Sequence, residues 1–406
     1  MVKVKQNTAL VGFVIIIIII VAAVLLLPSK SPNPSQGSGF SVLTTAYPGC
    51  PSGEYLNTSA NPPKCQPYQC PSGFYINTSS SPPLCEQLPA TSTANQSSQI
   101  GKLVMNITVG GHPNSILYAN GYLYVVQNSG NVVTVINAST YAITKNITVG
   151  LHPNELFEND YYTGVGHGTG PVGIAYGNDN IYITNYGSNN VSVISTKTNS
   201  VTGTISTGQE PSGIAYANGY LYVADFGGNN VSIINAATGL TIKNVSDPFM
   251  PSGVGYANGY VYILNINGGS PSFVSIINTT NNTLMKNVSV GEQPAAIAYG
   301  NNGYVYVTLL GNEQVVAINT TTKNVTQNIS IREPTFVGWP VGIAYSNGYM
   351  YVSGIGNKHV TLINTVNNTL SSTYLTVGWN SAGVTSGDNY IYVANEGSGS
   401  VSVIST

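Results

Sequence analysis

The chain has 406 residues, of which only 6% are charged, against roughly a quarter in an ordinary soluble protein, and its formal net charge is −2. Its twelve Lys and Arg are dispersed and too few to form the basic surface that phosphate recognition requires, which excludes nucleic acid as a partner. The hydrophobic fraction of 42% excludes a disordered chain, and 45 Gly and 28 Tyr favour turns and strands over helices.

The N-terminal region is predicted to anchor the chain in a membrane. A cytoplasmic tail, residues 1–8, carries Lys3 and Lys5, and residues 9–27 are apolar or small throughout, close to the length of a transmembrane helix. Because the positive charges precede the apolar run, we expect the N-terminus inside and the remainder outside the cell. A cleaved secretory signal is the alternative, and it would also export the remainder. Residues 28–46, rich in Pro, Ser and Gly, are predicted to be a flexible linker.

All four cysteines lie in a duplicated segment, residues 47–89, which is predicted to be a small stalk module. The copies are CPSGEYLNTSANPPKC, from Cys50 to Cys65, and CPSGFYINTSSSPPLC, from Cys70 to Cys85. Since each copy begins and ends with a cysteine, the simplest pairing is one disulfide per copy, which fits an oxidising exterior. A zinc site is the weaker alternative, because zinc ligands usually come in closely spaced pairs. Residues 90–99 are a second linker.

Residues 100–406 contain seven repeats with a period near forty residues. Within a repeat, two apolar runs flank a turn that is usually Asn-Gly, the strongest local signal for a β-hairpin, and two further strands follow. This pattern predicts a four-stranded blade. Equivalent starts fall at Pro113, Pro171, Pro211, Pro251, Pro294, Pro340 and Asn380.

The two ends of this region predict how the blades close into a ring. The last repeat stops at Thr406 after its third strand, whereas residues 100–110 match the fourth strand of the other repeats. The fold class is therefore predicted to be all-β, a seven-bladed β-propeller whose N-terminal strand completes the last blade. An open β-solenoid of seven repeats is the alternative.

The second strands carry a family resemblance. Segments such as YITN from Tyr182, YVAD from Tyr222 and YVAN from Tyr392 resemble the YVTN family of forty-residue propeller repeats, common in archaeal and bacterial surface and exported proteins. Tyr124 to Gln127 (YVVQ) and Tyr351 to Gly354 (YVSG) depart from the motif. The resemblance implies a propeller at the cell surface, of the surface-layer type, and implies little about chemistry.

Charged residues sort between the two predicted faces of the propeller. If the strands of a blade are named a to d from the axis outward, the d–a and b–c connections form one face, here called the upper face. The a–b and c–d connections form the lower face, where the closing strand begins, so we expect the upper face to point away from the membrane. Ten of the twelve propeller carboxylates fall in upper-face connections, whereas most lysines fall near the lower face. The candidate binding residues on the upper face are His152, Glu155, Glu158, Asp160 and His167 in an insertion, with Glu210, Asp225, Glu292, Glu333, Trp339 and Trp379.

Candidate N-glycosylation sites recur at one place on the outermost strand. Five N-x-S/T triplets occupy this place, at Asn106, Asn146, Asn244, Asn287 and Asn328. Glycans there would cover the rim and leave most of the upper face open. Trp339 and Trp379 are also candidates for an aromatic platform that binds carbohydrate.

The predicted innermost strands argue against an enzyme of the usual propeller type. None of them carries an ionisable acid or base other than Tyr, although catalytic propellers usually place such groups around the axis. We predict no catalytic residue and no cofactor, and leave a metal site at the insertion open. The preferred hypothesis is a cell-surface scaffold that binds a protein or glycan through the upper face. The alternative is an exported, metal-dependent hydrolase resembling a lactonase, with its site at the insertion.

Overall fold

In a computed structural model, the described residues are 101–128, 130–150, 173–266, 271–332 and 338–406, with the backbone of four short strands between residues 54 and 87. The chain divides into two compact units, Met1–Asn95 and Gln96–Thr406. Within these described ranges no helix is long and apolar enough to cross a membrane. The predicted anchor, residues 9–27, lies outside the described residues and stays a prediction.

The first unit contains two small antiparallel hairpins. Strand β1 (Glu54–Asn57) pairs with β2 (Lys64–Pro67), and β3 (Phe74–Asn77) pairs with β4 (Leu84–Gln87). Each copy of the duplicated segment therefore forms one hairpin. Cys65 lies in β2 and Cys85 in β4, whereas Cys50 and Cys70 lie outside the described residues, so the disulfide pairing stays a prediction.

The second unit is a seven-bladed β-propeller, as the repeats predict. Each blade is an antiparallel sheet of four strands in the order a-b-c-d. Blade 1 comprises β6 (Pro113–Ala119), β7 (Tyr122–Gln127), β8 (Val132–Asn137) and β9 (Ile143–Thr148). Blade 2 comprises β10 (Ile174–Gly177), β11 (Asn180–Asn185), β12 (Asn190–Ser195) and β13 (Ser200–Ser206). Blade 3 comprises β14 (Pro211–Ala217), β15 (Tyr220–Asp225), β16 (Asn230–Asn235) and β17 (Thr241–Ser246).

The remaining blades repeat this arrangement. Blade 4 comprises β18 (Pro251–Ala257), β19 (Tyr260–Asn265), β20 (Ser272–Asn278) and β21 (Thr283–Gly291). Blade 5 comprises β22 (Pro294–Tyr299), β23 (Tyr304–Leu309), β24 (Gln314–Asn319) and β25 (Asn324–Ser330). Blade 6 comprises β26 (Trp339–Ser346), β27 (Tyr349–Ile355), β28 (His359–Asn364) and β29 (Thr369–Thr376). Blade 7 comprises β30 (Ser381–Gly387), β31 (Tyr390–Asn395), β32 (Ser400–Ser405) and β5 (Lys102–Thr108).

The ring is closed by the first strand of the unit. Strand β5 pairs antiparallel with β32, and Val401 lies opposite Ile107. The inner strand β30 also contacts β6, so blade 7 meets blade 1. The predicted closure is confirmed, and strands within residues 102–406 complete the ring.

The Asn-Gly turns form tight hairpins because both residues adopt positive φ. Asn120, Asn218, Asn258 and Asn347 have φ between 44° and 51°, and a glycine with positive φ follows each of them. The prediction fails in blade 5, where Asn301 rather than Asn302 has positive φ and the N–H of Gly300 donates to the carbonyl of Tyr304. That turn is therefore longer than the other Asn-Gly turns.

Tyrosines of the b strands form the core between neighbouring blades. One tyrosine per blade is fully buried: Tyr124, Tyr182, Tyr222, Tyr262, Tyr306, Tyr351 and Tyr392. Tyr216 of blade 3 stacks on Tyr182 with ring centroids 6.3 Å apart, and Tyr118 of blade 1 stacks on Tyr392 at 6.1 Å. The ring of Tyr216 requires glycine at position 177, because a Cβ on Gly177 would come within 2.2 Å of it.

Three of the buried tyrosine hydroxyls, those of Tyr124, Tyr222 and Tyr306, also join their blade to the following blade. The hydroxyl of Tyr124 donates to Asn199 Oδ1 at 2.6 Å, and that of Tyr222 donates to Asn282 Oδ1 at 2.7 Å. Both acceptors have positive φ and lie in the c–d turn of the following blade. In blade 5 this position is Lys323, which has φ 57° and cannot accept a hydrogen bond through its side chain. The hydroxyl of Tyr262, its counterpart in blade 4, has no hydrogen-bond partner.

Candidate functional site on the upper face

The carboxylates that the structure describes follow the predicted sorting by face. Six lie in or at the end of b–c and d–a connections and two lie in a–b turns. The six are Glu210, Asp225, Asp247, Glu292, Glu313 and Glu396, and the two are Asp179 and Asp388. The prediction treats these carboxylates as candidates for binding a partner, whereas most of the six contact other residues of the propeller.

Asp225 is predicted to belong to the binding face, and this prediction is wrong. The sequence places it at the end of a b strand, but its side chain is fully buried. Its Oδ2 lies 2.5 Å from the hydroxyl of Ser232, and a Cβ on Gly208 would come within 2.4 Å of Oδ2. Burial raises the pKa of Asp225 to about 7, more than its hydrogen bonds lower it. Asp225 is therefore a structural group inside blade 3.

In blades 4 and 7 an asparagine amide occupies the position of the Asp225 carboxyl. At the same position, Asn265 Nδ2 donates to Ser275 Oγ at 2.7 Å, and Ser275 Oγ donates to Asn287 Oδ1 at 3.0 Å. Asn395, Ser402 and Asn106 form the same relay in blade 7. A polar residue at the end of a strand can cap the following turn through its side chain, but Asn185 and Asn395 make no cap hydrogen bond. Their amides instead bind a serine of the c strand.

Four other upper-face carboxylates are engaged within the propeller. Glu210 Oε2 accepts a hydrogen bond of 2.8 Å from Tyr186, and Glu313 Oε2 lies 3.3 Å from Nε of Arg332. Asn128 of blade 1 donates to Glu396 of blade 7 at 3.3 Å. Asp247 is buried beside Asn265 and Ser275, and burial raises the pKa of both Asp247 and Glu396. Among the described carboxylates of this face, Glu292 is the exposed one.

The remaining acidic and histidine candidates lie outside the described residues. These are His152, Glu155, Glu158, Asp160 and His167 in the insertion, and Glu333. Whether the insertion binds a metal or a partner therefore stays a prediction. No group of three His, Cys, Asp or Glu side chains able to hold a metal ion occurs among the residues that the structure does describe.

The two tryptophans of the chain flank one connection of the upper face. Trp339 begins β26 and pairs with Ile355 at the end of β27. Trp379 precedes Asn380, whose Oδ1 accepts the N–H of Gly356 at 3.1 Å and whose own N–H donates to the carbonyl of Asn357 at 3.1 Å. The b–c connection of blade 6, residues 356–358, therefore runs between the two tryptophans.

Both indole side chains of this pair are accessible to solvent. The exposed fraction of Trp339 is 43% and that of Trp379 is 44%, which is large for tryptophan. Nζ of Lys358 lies 6.0 Å from the ring centroid of Trp379, and Ser398 Oγ accepts the backbone N–H of Trp379 at 2.7 Å. We call Trp339, Trp379 and Lys358 the tryptophan patch. It combines aromatic surface with a cationic hydrogen-bond donor.

The five recurring glycosylation candidates lie exposed on d strands. In blades 3, 4 and 7 a c-strand serine lies within 3.2 Å of Oδ1 of the asparagine, at Asn244, Asn287 and Asn106. Since the carbonyl oxygen faces the serine, the amide nitrogen, where an N-glycan is attached, faces away from it. Asn146 and Asn328 share the register but lie opposite Thr134 and Val316.

Comparison with known proteins identifies the fold alone. No family model and no curated protein matches the chain, so the resemblance to YVTN repeats stays a prediction. A hydrazine synthase structure from Kuenenia stuttgartiensis is 19% identical, covers 73% of this chain and 96% of its own, and has a TM-score of 0.63. A virginiamycin B lyase from Staphylococcus aureus, in a catalytically inactive form with quinupristin, is 17% identical and covers 76% of this chain and 100% of its own, with a TM-score of 0.60. A streptogramin B lyase is 15% identical, covers 75% and 97%, and has a TM-score of 0.59.

Proposed function

We propose that this chain is an exported cell-surface protein, anchored by residues 9–27, whose propeller binds a glycan or protein through its upper face. The tryptophan patch carries this proposal. Exposed aromatic side chains that cluster on one face are typical of binding surfaces, and Trp is among the residues that contribute most to binding energy. A flat indole also offers an apolar surface with a polar N–H, which suits a sugar ring as well as a protein side chain.

The contacts that other upper-face residues make within the propeller support the same proposal. Since most described carboxylates of this face contact other residues of the propeller, the tryptophans and Lys358 are prominent among its accessible described side chains. A surface with so few charges is suited to a ligand bound by stacking and hydrogen bonds. This favours a neutral or weakly anionic ligand, such as an envelope polysaccharide.

Surface exposure of the rim is compatible with the predicted N-glycans. Asn106, Asn244 and Asn287 are exposed, and a sugar on the amide nitrogen would leave the contact between Oδ1 and serine in place. Together with the predicted disulfides and the YVTN resemblance, this supports a role in the cell envelope of the surface-layer type. Mass spectrometry of the native protein would give the occupancy of each site.

The binding proposal is tested with purified cell envelopes from the source organism. We expect the chain without residues 1–27 to cosediment with envelopes, and the double variant Trp339→Ala/Trp379→Ala to bind at least ~10-fold more weakly, as loss of two aromatic contacts implies. Tyr256→Ala, which removes an exposed aromatic side chain from the inner strand of blade 4, serves as the matched control. Equal cosedimentation of the double variant and the control would contradict the proposal.

The second candidate is an exported metal-dependent hydrolase with its site at the insertion. The structural neighbours named above include enzymes, so a propeller of this architecture is compatible with catalysis. Elemental analysis of the purified protein, with assays of lactone and ester turnover, tests this candidate. Bound metal together with turnover that is lost in Glu155→Ala would establish it.

A further inference from the structure

The lower face of the propeller carries most of the exposed positive charge among the described residues. Five of its lysines are exposed and lie on five consecutive blades, at Lys102, Lys145, Lys197, Lys243 and Lys286, whereas Lys323 is buried. The acidic residues of this face are Asp179, which pairs with Lys197 at 2.8 Å, and Asp388, which accepts a hydrogen bond from Tyr118. Every a–b and c–d connection of the propeller lies within the described residues, so Asp179 and Asp388 are the acidic residues of these connections. The face therefore has a net positive charge.

Side-chain contacts place two of these ammonium groups at the level of the c–d turns. Nζ of Lys145 lies 3.3 Å from Ser200 Oγ, next to the c–d turn of the following blade. Nζ of Lys286 donates to the carbonyl of Lys323 at 3.0 Å and to Asn324 Oδ1 at 2.5 Å, again at the next c–d turn. Lys197 lies within such a turn. The charges therefore follow the lower margin of the ring.

Exposed apolar side chains alternate with these lysines. Val366 is 90% exposed and Leu240 is 67% exposed, and both lie in c–d turns. Ile143, Ile242 and Met285, which are 45% to 52% exposed, lie within two residues of Lys145, Lys243 and Lys286. Cationic side chains with interspersed apolar ones are the composition by which proteins bind an anionic lipid surface.

We infer that the lower face docks onto an anionic phospholipid bilayer. The course of the chain supports a membrane as the partner, because β5 begins at Lys102 on this face and the chain reaches the ring there from the N-terminal side. The inference rests on the proposed function, which places the propeller next to a membrane. It adds that the propeller lies on the bilayer, with its upper face and the tryptophan patch directed away from it.

The test uses the chain without residues 1–27, which retains every strand of the closed ring. We expect it to cosediment with vesicles that contain phosphatidylglycerol at low salt, to be released at high salt, and to ignore vesicles of phosphatidylcholine. The variant Lys102→Glu/Lys145→Glu/Lys243→Glu should lose at least ~10-fold in binding, because three attractive contacts with anionic lipid become repulsive. Arg332→Glu, an exposed charge on the upper face that lies outside the tryptophan patch, is the control and should bind as the unmodified chain does. Circular dichroism verifies that all variants are folded.

The inference is overturned if the chain ignores both kinds of vesicle, binds both equally, or loses as much binding through Arg332→Glu as through the triple variant. It is also overturned if soluble anionic polysaccharide binds in a lysine-dependent manner while the vesicles do not. The proposed anchor is tested separately, by resistance of the full chain to alkaline extraction from membranes. A full chain that resists extraction, with a shortened chain that ignores vesicles, would retain the anchor and reject docking.

Discussion

At the scale of single residues, Lys323 is the clearest local defect of the propeller. It holds a positive φ that Asn or Gly adopts more easily, burial lowers its pKa, and it leaves the hydroxyl of Tyr262 without a partner. We expect Lys323→Asn to stabilise the fold by less than about 1 kcal/mol, because the relieved backbone and the restored acceptor, which Asn282 provides for Tyr222, outweigh the lost contact of Lys323 Nζ with the ring of Tyr260. Thermal unfolding measures the gain. Asn282→Ala, the matched control, should lower Tm, and a Tm reduced by Lys323→Asn would contradict this account of the turn.

Asp225 gives the fold a predicted dependence on pH. Its pKa is about 7 in the folded state against an ordinary value near 3.8, so folding favours the protonated form. The stability that this group contributes is fully present below its unfolded pKa and is lost as the pH rises through about 7, a change on the order of a few kcal/mol. We expect Tm to rise as the pH falls from 8 to 5, and Asp225→Asn to remove most of this rise.

The control for that prediction is an exposed aspartate on the opposite face. Lys197 lowers the pKa of Asp179, so Asp179→Asn should leave the rise of Tm between pH 8 and pH 5 in place. Parallel pH profiles for Asp225→Asn and the unmodified chain would show that Asp225 is not the group responsible. The charged fraction of only 6% leads to the hypothesis of an acidic habitat, because such a surface loses little when carboxylates are protonated, and the raised pKa of Asp225, Asp247 and Glu396 fits that hypothesis.

These residues show where sequence-based prediction ends. The repeat period assigns Asp225 and Glu210 to upper-face connections correctly, because connection and face follow from strand order. It cannot tell whether a side chain points to solvent or into the blade, because that depends on neighbours from other strands. The signal that could have identified Asp225 as internal is its alignment with Asn185, Asn265 and Asn395, where an amide rather than an acid recurs.

At the scale of elements, strand β5 decides whether the ring closes. It covers the edge of β32, and its Ile107 is buried among residues of blades 7 and 1. A chain that begins at residue 96 should be monomeric and unfold cooperatively, whereas one that begins at residue 111 should expose the edge of β32 and aggregate. Size-exclusion chromatography distinguishes the two outcomes.

A point substitution probes the same strand without removing it. Ile107→Ala should lower stability by about 3 kcal/mol through loss of buried volume while the ring stays closed. Equal stability of the chains that begin at residues 96 and 111 would contradict the closure.

The closure was predictable because the missing fourth strand at Thr406 and the surplus strand before Pro113 are both visible in the sequence. The longer turn of blade 5 was not predictable, because either Asn301 or Asn302 could adopt the positive φ of the turn.

At the scale of the whole molecule, scarce charge is divided between two different surfaces. The upper face uses most of its described carboxylates to join strands and blades, and it leaves the tryptophan patch exposed. The lower face keeps five of its six lysines in solvent among exposed apolar side chains. The strand order predicts this division, but the function of each face depends on which side chains remain accessible after the blades pack.

Intrinsic fluorescence tests the central claim most directly, because both tryptophans of the chain belong to the patch. Titration of the chain without residues 1–27 with envelope polysaccharide from the source organism should shift the emission to shorter wavelength and protect it from acrylamide quenching. Lys358→Glu, beside Trp379, should weaken the titration, whereas Met285→Ala should leave it unchanged. Emission and quenching that stay constant while equilibrium dialysis shows the same polysaccharide bound to the chain would contradict the claim that this patch is the binding site.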